Sequence, residues 1–222
     1  MKREKIYQLH KNLASGKYKE KILEICWNHS LIVEEIALNI ATDLEKKYEI
    51  KIDKELLSLG ALVHDLGYYK CFDESYKLKV KYITHGQLGY DFLKKFGFAE
   101  KVARFAISHT GVGIDKEQIE KENLPLEKHD YIPISLEEEI IAYVDNFHSK
   151  GHPGFNSFEE TKNELNNINS SYGIILERFK KKFGVPDVTE LKIKYKIWHE
   201  EINEWLKKSL SANAASPFEK GR

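Results

Sequence analysis

The stretch Gly60-Ala61-Leu62-Val63-His64-Asp65-Leu66-Gly67 decides how this chain is read. It sets an imidazole beside a carboxylate at the end of an apolar helix. Neighbours on an α-helix lie about 100° apart around its axis, so His64 and Asp65 point together only towards a shared target. A divalent cation is such a target, because neutral imidazole and carboxylate oxygen both coordinate it. The dipeptide alone is a weak signal. The chain holds a second copy, His129-Asp130, in a loop between Pro125 and Pro133 with no helical pattern around it.

Outward from this stretch the chain reads as helix. Asp53 is the expected N-cap of a helix through Leu56, Leu57, Leu59, Leu62 and Val63, and Gly67 its expected left-handed stop. Upstream, Ile22, Ile25, Cys26, Val33, Ile36, Ala37, Ile40 and Leu44 recur at three- and four-residue steps, on one helix or on two meeting near His29. Downstream, helices are expected over His85–Phe96 and, after Gly97, through Val102, Phe105 and Ala106 towards His109. The polar stretch Ile114–Pro133 reads as an irregular surface excursion. Ser135 and Glu138 resemble a capping box that opens a helix through Ile140, Ile141 and Val144. After a break over Gly151–Ser157 come two long amphipathic stretches, Phe158–Phe183 and Val188–Leu210. Tyr48–Ile52 is the best strand candidate. The expected fold class is all-α, one domain over 1–210 with a core at about 20–150, C-terminal helices at about 158–210, and a disordered tail over 211–222.

Composition narrows the function. With 222 residues the chain can bury a core without disulfides, and 35 Lys+Arg against 35 Asp+Glu argue against a general nucleic-acid or anionic-membrane binder. The two cysteines, Cys26 and Cys71, are too few for a disulfide scaffold or a cysteine zinc knuckle. The opening MKREKIYQLHKN lacks the apolar core of a secretory signal, and no apolar run approaches the roughly 20 residues that span a bilayer. A cytoplasmic location is expected, with homo-oligomer formation left open.

His64-Asp65 stands above its duplicate because of its company. His29 interrupts the apolar stripe of its helix. His85 opens one helix and His109 closes another. Asp145 lies within the apolar run IIAYVDNF, where a lone carboxylate would be costly unless paired or coordinated. Helices that converge polar side chains on one point are how bundles build metal sites. The order His29, His64-Asp65, His85, His109, Asp145 resembles the H…HD…H…H…D signature of the HD-domain superfamily of metal-dependent phosphohydrolases. The surrounding WNHSLIVEEIALNIA, LVHDLG, THGQLGYDFL and IIAYVDNF resemble that family's segments over roughly residues 20–150.

The resemblance implies about five core helices around a metal site. It implies that His29, His64, Asp65 and Asp145 bind a first divalent metal. It further implies that His85 and His109, with a bridging Asp65, hold a second, so one or two ions are expected and two preferred. Manganese, iron, cobalt, nickel, zinc and magnesium are all admitted, iron or manganese favoured. Asp65, His85 and His109 are the expected catalytic residues, and the expected reaction is hydrolysis of a phosphoester in a nucleotide or related small phosphate by metal-activated water. Many members carry Lys or Arg directly after the HDxG motif, where this chain has Tyr68; Lys70 or Arg104 would then supply the cation facing substrate. The TGVG after His109 lacks the GYP-type extension of cyclic di-GMP phosphodiesterases. Two alternatives use the same ligands: a di-iron oxygenase cleaving a carbon bond with dioxygen, and a ligand-binding or regulatory module with a structural metal. His148, one turn beyond Asp145, is placed either to support a ligand from behind or, with Lys150, to form a solvated helix end, and the helix end is the expectation. His10, His129, His152 and His199 receive no role.

Overall fold

In a computed structural model the described residues are 2–210, so the expectation for the 211–222 tail lies outside them. A short α1 (Arg3–Leu13), which the apolar pattern did not announce, precedes α2 (Lys19–Tyr48), a single helix of 30 residues. The stripe from Ile22 to Leu44 therefore runs unbroken past His29. No strand forms at Tyr48–Ile52: α2 ends at Tyr48, Glu49 turns left-handed, and the Ile52 amide donates back to Glu45.

The helix α3 (Lys54–Val63) starts where Asp53 caps it, its carboxylate accepting from the Leu56 amide at 2.9 Å. It stops earlier than the glycine suggested, and the chain continues as a 3-10 turn over Leu66–Cys71. Gly67 is not left-handed. Its role is close approach, because a Cβ there would overlap the His85 carbonyl oxygen and the Gly89 nitrogen. This lets the 3-10 turn lie against α4 (His85–Lys95), which packs on α5 (Glu100–Ser108).

The excursion over Ile114–Pro133 is more ordered than its polarity implied. It contains α6 (Lys116–Glu122), and Ile114, Ile119 and Tyr131 form a small buried cluster closed by an Ile114–Tyr131 backbone bridge. Next, α7 (Leu136–Val144) is capped by Ser135, which accepts from the Glu138 amide at 3.1 Å. The expected box is only half made, since the Glu138 carboxylate turns to Arg104 and the Ile134 amide instead.

After α7 a two-stranded hairpin, β1 (His148–Ser149) with β2 (Gly154–Phe155), folds the Gly151–Ser157 break back on itself. The stretch expected as one helix is two, α8 (Phe158–Ile168) and α9 (Ser170–Phe183), broken where Asn169 is extended and caps α9. A reciprocal capping box between Ser157 and Glu160 opens α8. The chain then forms α10 (Thr189–Leu210). The described residues are all-α apart from this hairpin. The main core joins α2, α3, α5 and α7 with the C-terminal helices, and the space between α2, α3, α4, α5 and α7 holds the polar centre. Cys26 and Cys71 are buried free thiols. No described helix is long and apolar enough to cross a membrane.

Candidate metal centre

Five helices deliver the six expected ligands, and helix ends deliver most of them. His29 projects from the middle of α2; His64 is the C-cap of α3, His85 the first residue of α4, His109 the C-cap of α5, and Asp145 follows α7. Asp65 has left helical geometry (φ −109°, ψ 14°), which frees its carboxylate from the offset that an unbroken helix would impose on its neighbour. His29, His64 and Asp65 are fully buried, and His85 and His109 nearly so.

Their atoms meet. His29 Nε2 lies 2.8 Å from Asp145 Oδ1, and His64 Nε2 3.2 Å from the same oxygen. His85 Nε2 and His109 Nε2 are 2.9 Å apart. Asp65 stands between the two groups: its Oδ2 is 3.8 Å from His29 Nε2 and 3.9 Å from His64 Nε2, while its Oδ1 is 3.7 Å from His85 Nε2 and 3.8 Å from His109 Nε2. Backbone carbonyls orient three of the rings. His64 Nδ1–H donates to Ala61 (2.7 Å), His85 Nδ1–H to Tyr82 (2.8 Å) and His109 Nδ1–H to Phe105 (3.1 Å). Each leaves Nε2 aimed at the centre, the arrangement that prepares a histidine to ligate. Tyr82 also stacks on His85, ring centroids 4.6 Å apart.

Both oxygens of Asp65 are buried, and the one donor that approaches them among the described residues is the Lys150 ammonium. A carboxylate so placed costs several kcal/mol unless a cation compensates it. The donor set of four imidazole nitrogens and two carboxylates fits a divalent metal, and atoms of His29, His64 and Asp145, and of His64, Asp65 and His109, lie within 4.8 Å of one another. The cation the protein itself brings is Lys150, buried, its Nζ 2.5 Å from Asp65 Oδ2 and 3.2 Å from His29 Nε2.

The electrostatics follow. Burial lowers His29 to about 4, with the Lys150 charge adding to it, and burial with the charges of His64 and His85 takes His109 down to about 3. Burial also lowers His85. His64 ends above its usual value, because its hydrogen bond to Asp145 and the charges of Asp145 and Asp65 outweigh burial. Burial alone would raise Asp65 and Asp145. Lys150 and the surrounding imidazoles reverse this and hold both carboxyls well below the usual range. His29, His85 and His109 held neutral and the two carboxylates held ionised are in the states in which such side chains ligate.

The chain belongs to the HD-domain family.

The HD domain matches residues 26–150, the span that carries all six candidate ligands. Among relatives, the Methanocaldococcus jannaschii uncharacterized protein MJ0778 is 39% identical over 147 residues, which is 66% of this chain and 75% of the relative. A tRNA (cytidine(56)-2'-O)-methyltransferase of Picrophilus torridus is 36% identical over 97 residues, covering 44% of this chain and 25% of the enzyme. Its Thermoplasma volcanium counterpart is 33% identical over 129 residues, covering 58% and 33%. This HD chain thus spans a third or less of either methyltransferase. Among solved structures, the L. monocytogenes phosphodiesterase PgpH HD domain aligns with 17% identity and a TM-score of 0.44 over 85% of this chain and 96% of that one. The same domain in complex with cyclic-di-AMP aligns with a TM-score of 0.41.

Two expected substrate contacts of the HD domain lie elsewhere. Arg104 is held bidentately by Glu138, Nε to Oε1 at 2.9 Å and Nη2 to Oε2 at 3.0 Å, and its Nη2 also donates to the Ile132 carbonyl. These bonds commit the guanidinium to α7, so it is a structural ion pair. Lys70 lies over the Phe92 ring at 5.4 Å. The cation at the centre is Lys150, 5.9 Å from the centroid of Tyr68, the residue standing where many HD domains carry Lys or Arg. Lys150 and His148 are thus no solvated helix end: both are buried, because the hairpin turns them inward. His199, given no role, reaches His148 from α10. No periodicity marks any of the three, since each arrives through a contact between distant parts of the chain. His10 is a satisfied core histidine, bonded to the Leu62 carbonyl and the Tyr69 hydroxyl.

A cavity of about 480 Å³ reaches the centre. His85, Asp145 and Lys150 line it together with Lys81, with Glu122 and Glu164, and with the apolar side chains of Ile83, Leu124, Pro125 and Ile168.

Proposed function

We propose that this HD domain is a metal-dependent phosphohydrolase that cleaves a phosphoester in a nucleotide or related small phosphate. The observation that carries the reading is Asp65, a fully buried carboxylate whose two oxygens face two separate histidine groups. His29, His64, Asp145 and Asp65 Oδ2 would hold one divalent ion; His85, His109 and Asp65 Oδ1 would hold a second. When bound, such ions acidify water towards neutral pH and polarise a phosphoryl oxygen.

The chain's own residues supply the rest. Lys150 lines the cavity and is the cation suited to donate from Nζ to a phosphoryl oxygen, which stabilises the charge that grows there in the transition state. Lys81 adds a second positive charge for the incoming anion. The carbonyls of Ala61, Tyr82 and Phe105 keep Nδ1–H on their histidines, so Nε2 stays available without rearrangement. Ile83, Leu124, Pro125 and Ile168 give the leaving group an apolar wall. The volume suits a small ligand of the drug or nucleotide size range.

The test is phosphate release from a panel of nucleotides, dinucleotides and cyclic nucleotides, with metal content measured on the same sample. Manganese-loaded protein should release phosphate or nucleotide at equal rates in air and under argon. Product forming only with iron and dioxygen, with measurable oxygen consumption, would overturn the hydrolase in favour of an oxygenase. Metal binding with no turnover of any kind would favour a regulatory module.

A further inference from the structure

One ligand is oriented differently from the rest. The carbonyls that receive Nδ1–H from His64, His85 and His109 can only accept, so each fixes its ring by itself. His29 Nδ1 instead meets His148 Nδ1, 2.9 Å away, and both rings are buried. An imidazole nitrogen can donate or accept, so this contact alone does not say which atom of His29 carries hydrogen. The choice is passed on, because His148 Nε2 meets His199 Nε2 at 3.1 Å, and His199 sits on α10, half-buried. The three rings form a row, with centroids 5.2 Å apart from His29 to His148 and 5.3 Å from His148 to His199.

We propose that His148 and His199 are positioning residues for the metal, a row of imidazoles that ties the C-terminal helix α10 to the orientation of His29. The proposal rests on the metal-centre reading above and on no particular substrate. A His29 that ligates through Nε2 carries hydrogen on Nδ1. That hydrogen requires His148 to accept at Nδ1, which places the hydrogen of His148 on Nε2, where it donates to His199 Nε2. One sense of hydrogen bonding along the row is compatible with ligation, and His199 completes it. Partners of this kind typically govern metal affinity by about 10–100-fold.

The experiment uses the full chain, stripped with chelator and titrated with zinc alone by calorimetry. Asparagine places its side-chain oxygen close to where Nδ1 of histidine lies, so His148→Asn keeps the acceptor and His148→Leu removes it. The expected result is a loss of zinc affinity of about 10–100-fold for His148→Leu, near-wild-type affinity for His148→Asn, and a smaller loss for His199→Leu. Long-range nitrogen–proton correlation spectra of the zinc-loaded wild type provide a readout that needs no variant. His29 should be protonated at Nδ1, and His148 at Nε2 and not Nδ1. Equal weakening by His148→Leu and His148→Asn would mean that the residue only packs, and a His148 protonated at Nδ1 would overturn the row outright. Wild-type protein that takes up no zinc would sink the metal centre itself, whereas a failed substrate panel would leave this inference intact.

Discussion

The chain contains the same dipeptide twice, and the two copies have opposite fates. His64-Asp65 is fully buried, oriented by the Ala61 carbonyl and ringed by three further histidines, a lysine and a second aspartate. His129-Asp130 lies on the rim of the small Ile114–Tyr131 cluster. The His129 side chain is 45% exposed and stacks on Tyr131, while Asp130 accepts from the Lys116 amide where α6 begins. One carboxylate receives a backbone amide at the surface; the other, fully buried, is faced by the Lys150 ammonium and by imidazoles. Residue identity is therefore less informative than the demand the surroundings place on it. Burial turns a common dipeptide into a candidate ligand pair by removing water as the alternative partner.

The harshest attempt to break this comparison is Asp65→Ala. It removes the group facing both histidine sets, and phosphoester hydrolysis should fall on the order of 10³-fold or more. Elemental analysis should also show at most one ion in the variant against the two expected of the wild type. The fold should persist by circular dichroism, since the apolar core does not depend on one carboxylate.

Two cations sharpen the contrast next. Arg104→Ala strands the Glu138 carboxylate, which is 4% exposed, and should cost about 3–5 kcal/mol in denaturant unfolding while leaving KM unchanged in the folded fraction. Lys150→Met should do the reverse in kind. Removing a cation aimed at the reacting group lowers kcat/KM by about 10²–10³-fold, measurable by steady-state kinetics on whichever substrate the panel identifies. A variant of Arg104 that raises KM with unaltered stability would reinstate it as a substrate contact.

The buried copy also predicts an acid sensitivity for chelator-treated protein. His29 and His109 are lowered to about 4 and about 3, so between the unfolded value of 6.5 and these values protons bind the unfolded chain in preference. Their contribution to stability is complete above pH 6.5 and is lost as pH falls towards 4 and then 3. The raised His64 works in the opposite direction. His10, His85, His148 and His199 are lowered as well, chiefly by burial, so the lowered histidines outnumber His64 and the melting temperature should drop steadily between pH 7 and 4. A melting temperature that rose over this interval would contradict the neutral imidazole cluster. The smallest effect belongs to the exposed copy: His129→Ala should change stability by about 0.5 kcal/mol or less and leave activity and metal content unchanged.

The helical class and the six candidate ligands were legible because both are written in periodic patterns. Apolar residues at helical spacing locate α2 to α5 and α7, and a histidine or aspartate inside such a stripe has few ways to be buried other than pairing or coordination. Where the reading failed, the missing information was tertiary. Gly67 looks like a helix stop in the sequence but serves close packing against Gly89, a neighbour only in space. Ile114–Pro133 looks polar throughout, yet its few apolar residues meet across a backbone bridge.

The line between what sequence alone determined and what the tertiary structure decided falls at the metal centre. The order of ligands along five helices requires only local periodicity and the cost of burying charge, so the sequence alone determines it. Which cation reaches Asp65, and what orients His29, depend on the β1–β2 hairpin turning Lys150 and His148 inward and on α10 bringing His199 alongside. These contacts join residues 51 to 119 positions apart, through side chains that sit in no amphipathic pattern. Helical periodicity encodes which face of an element is buried; it does not encode which distant element will cover that face, and here the covering elements complete the site.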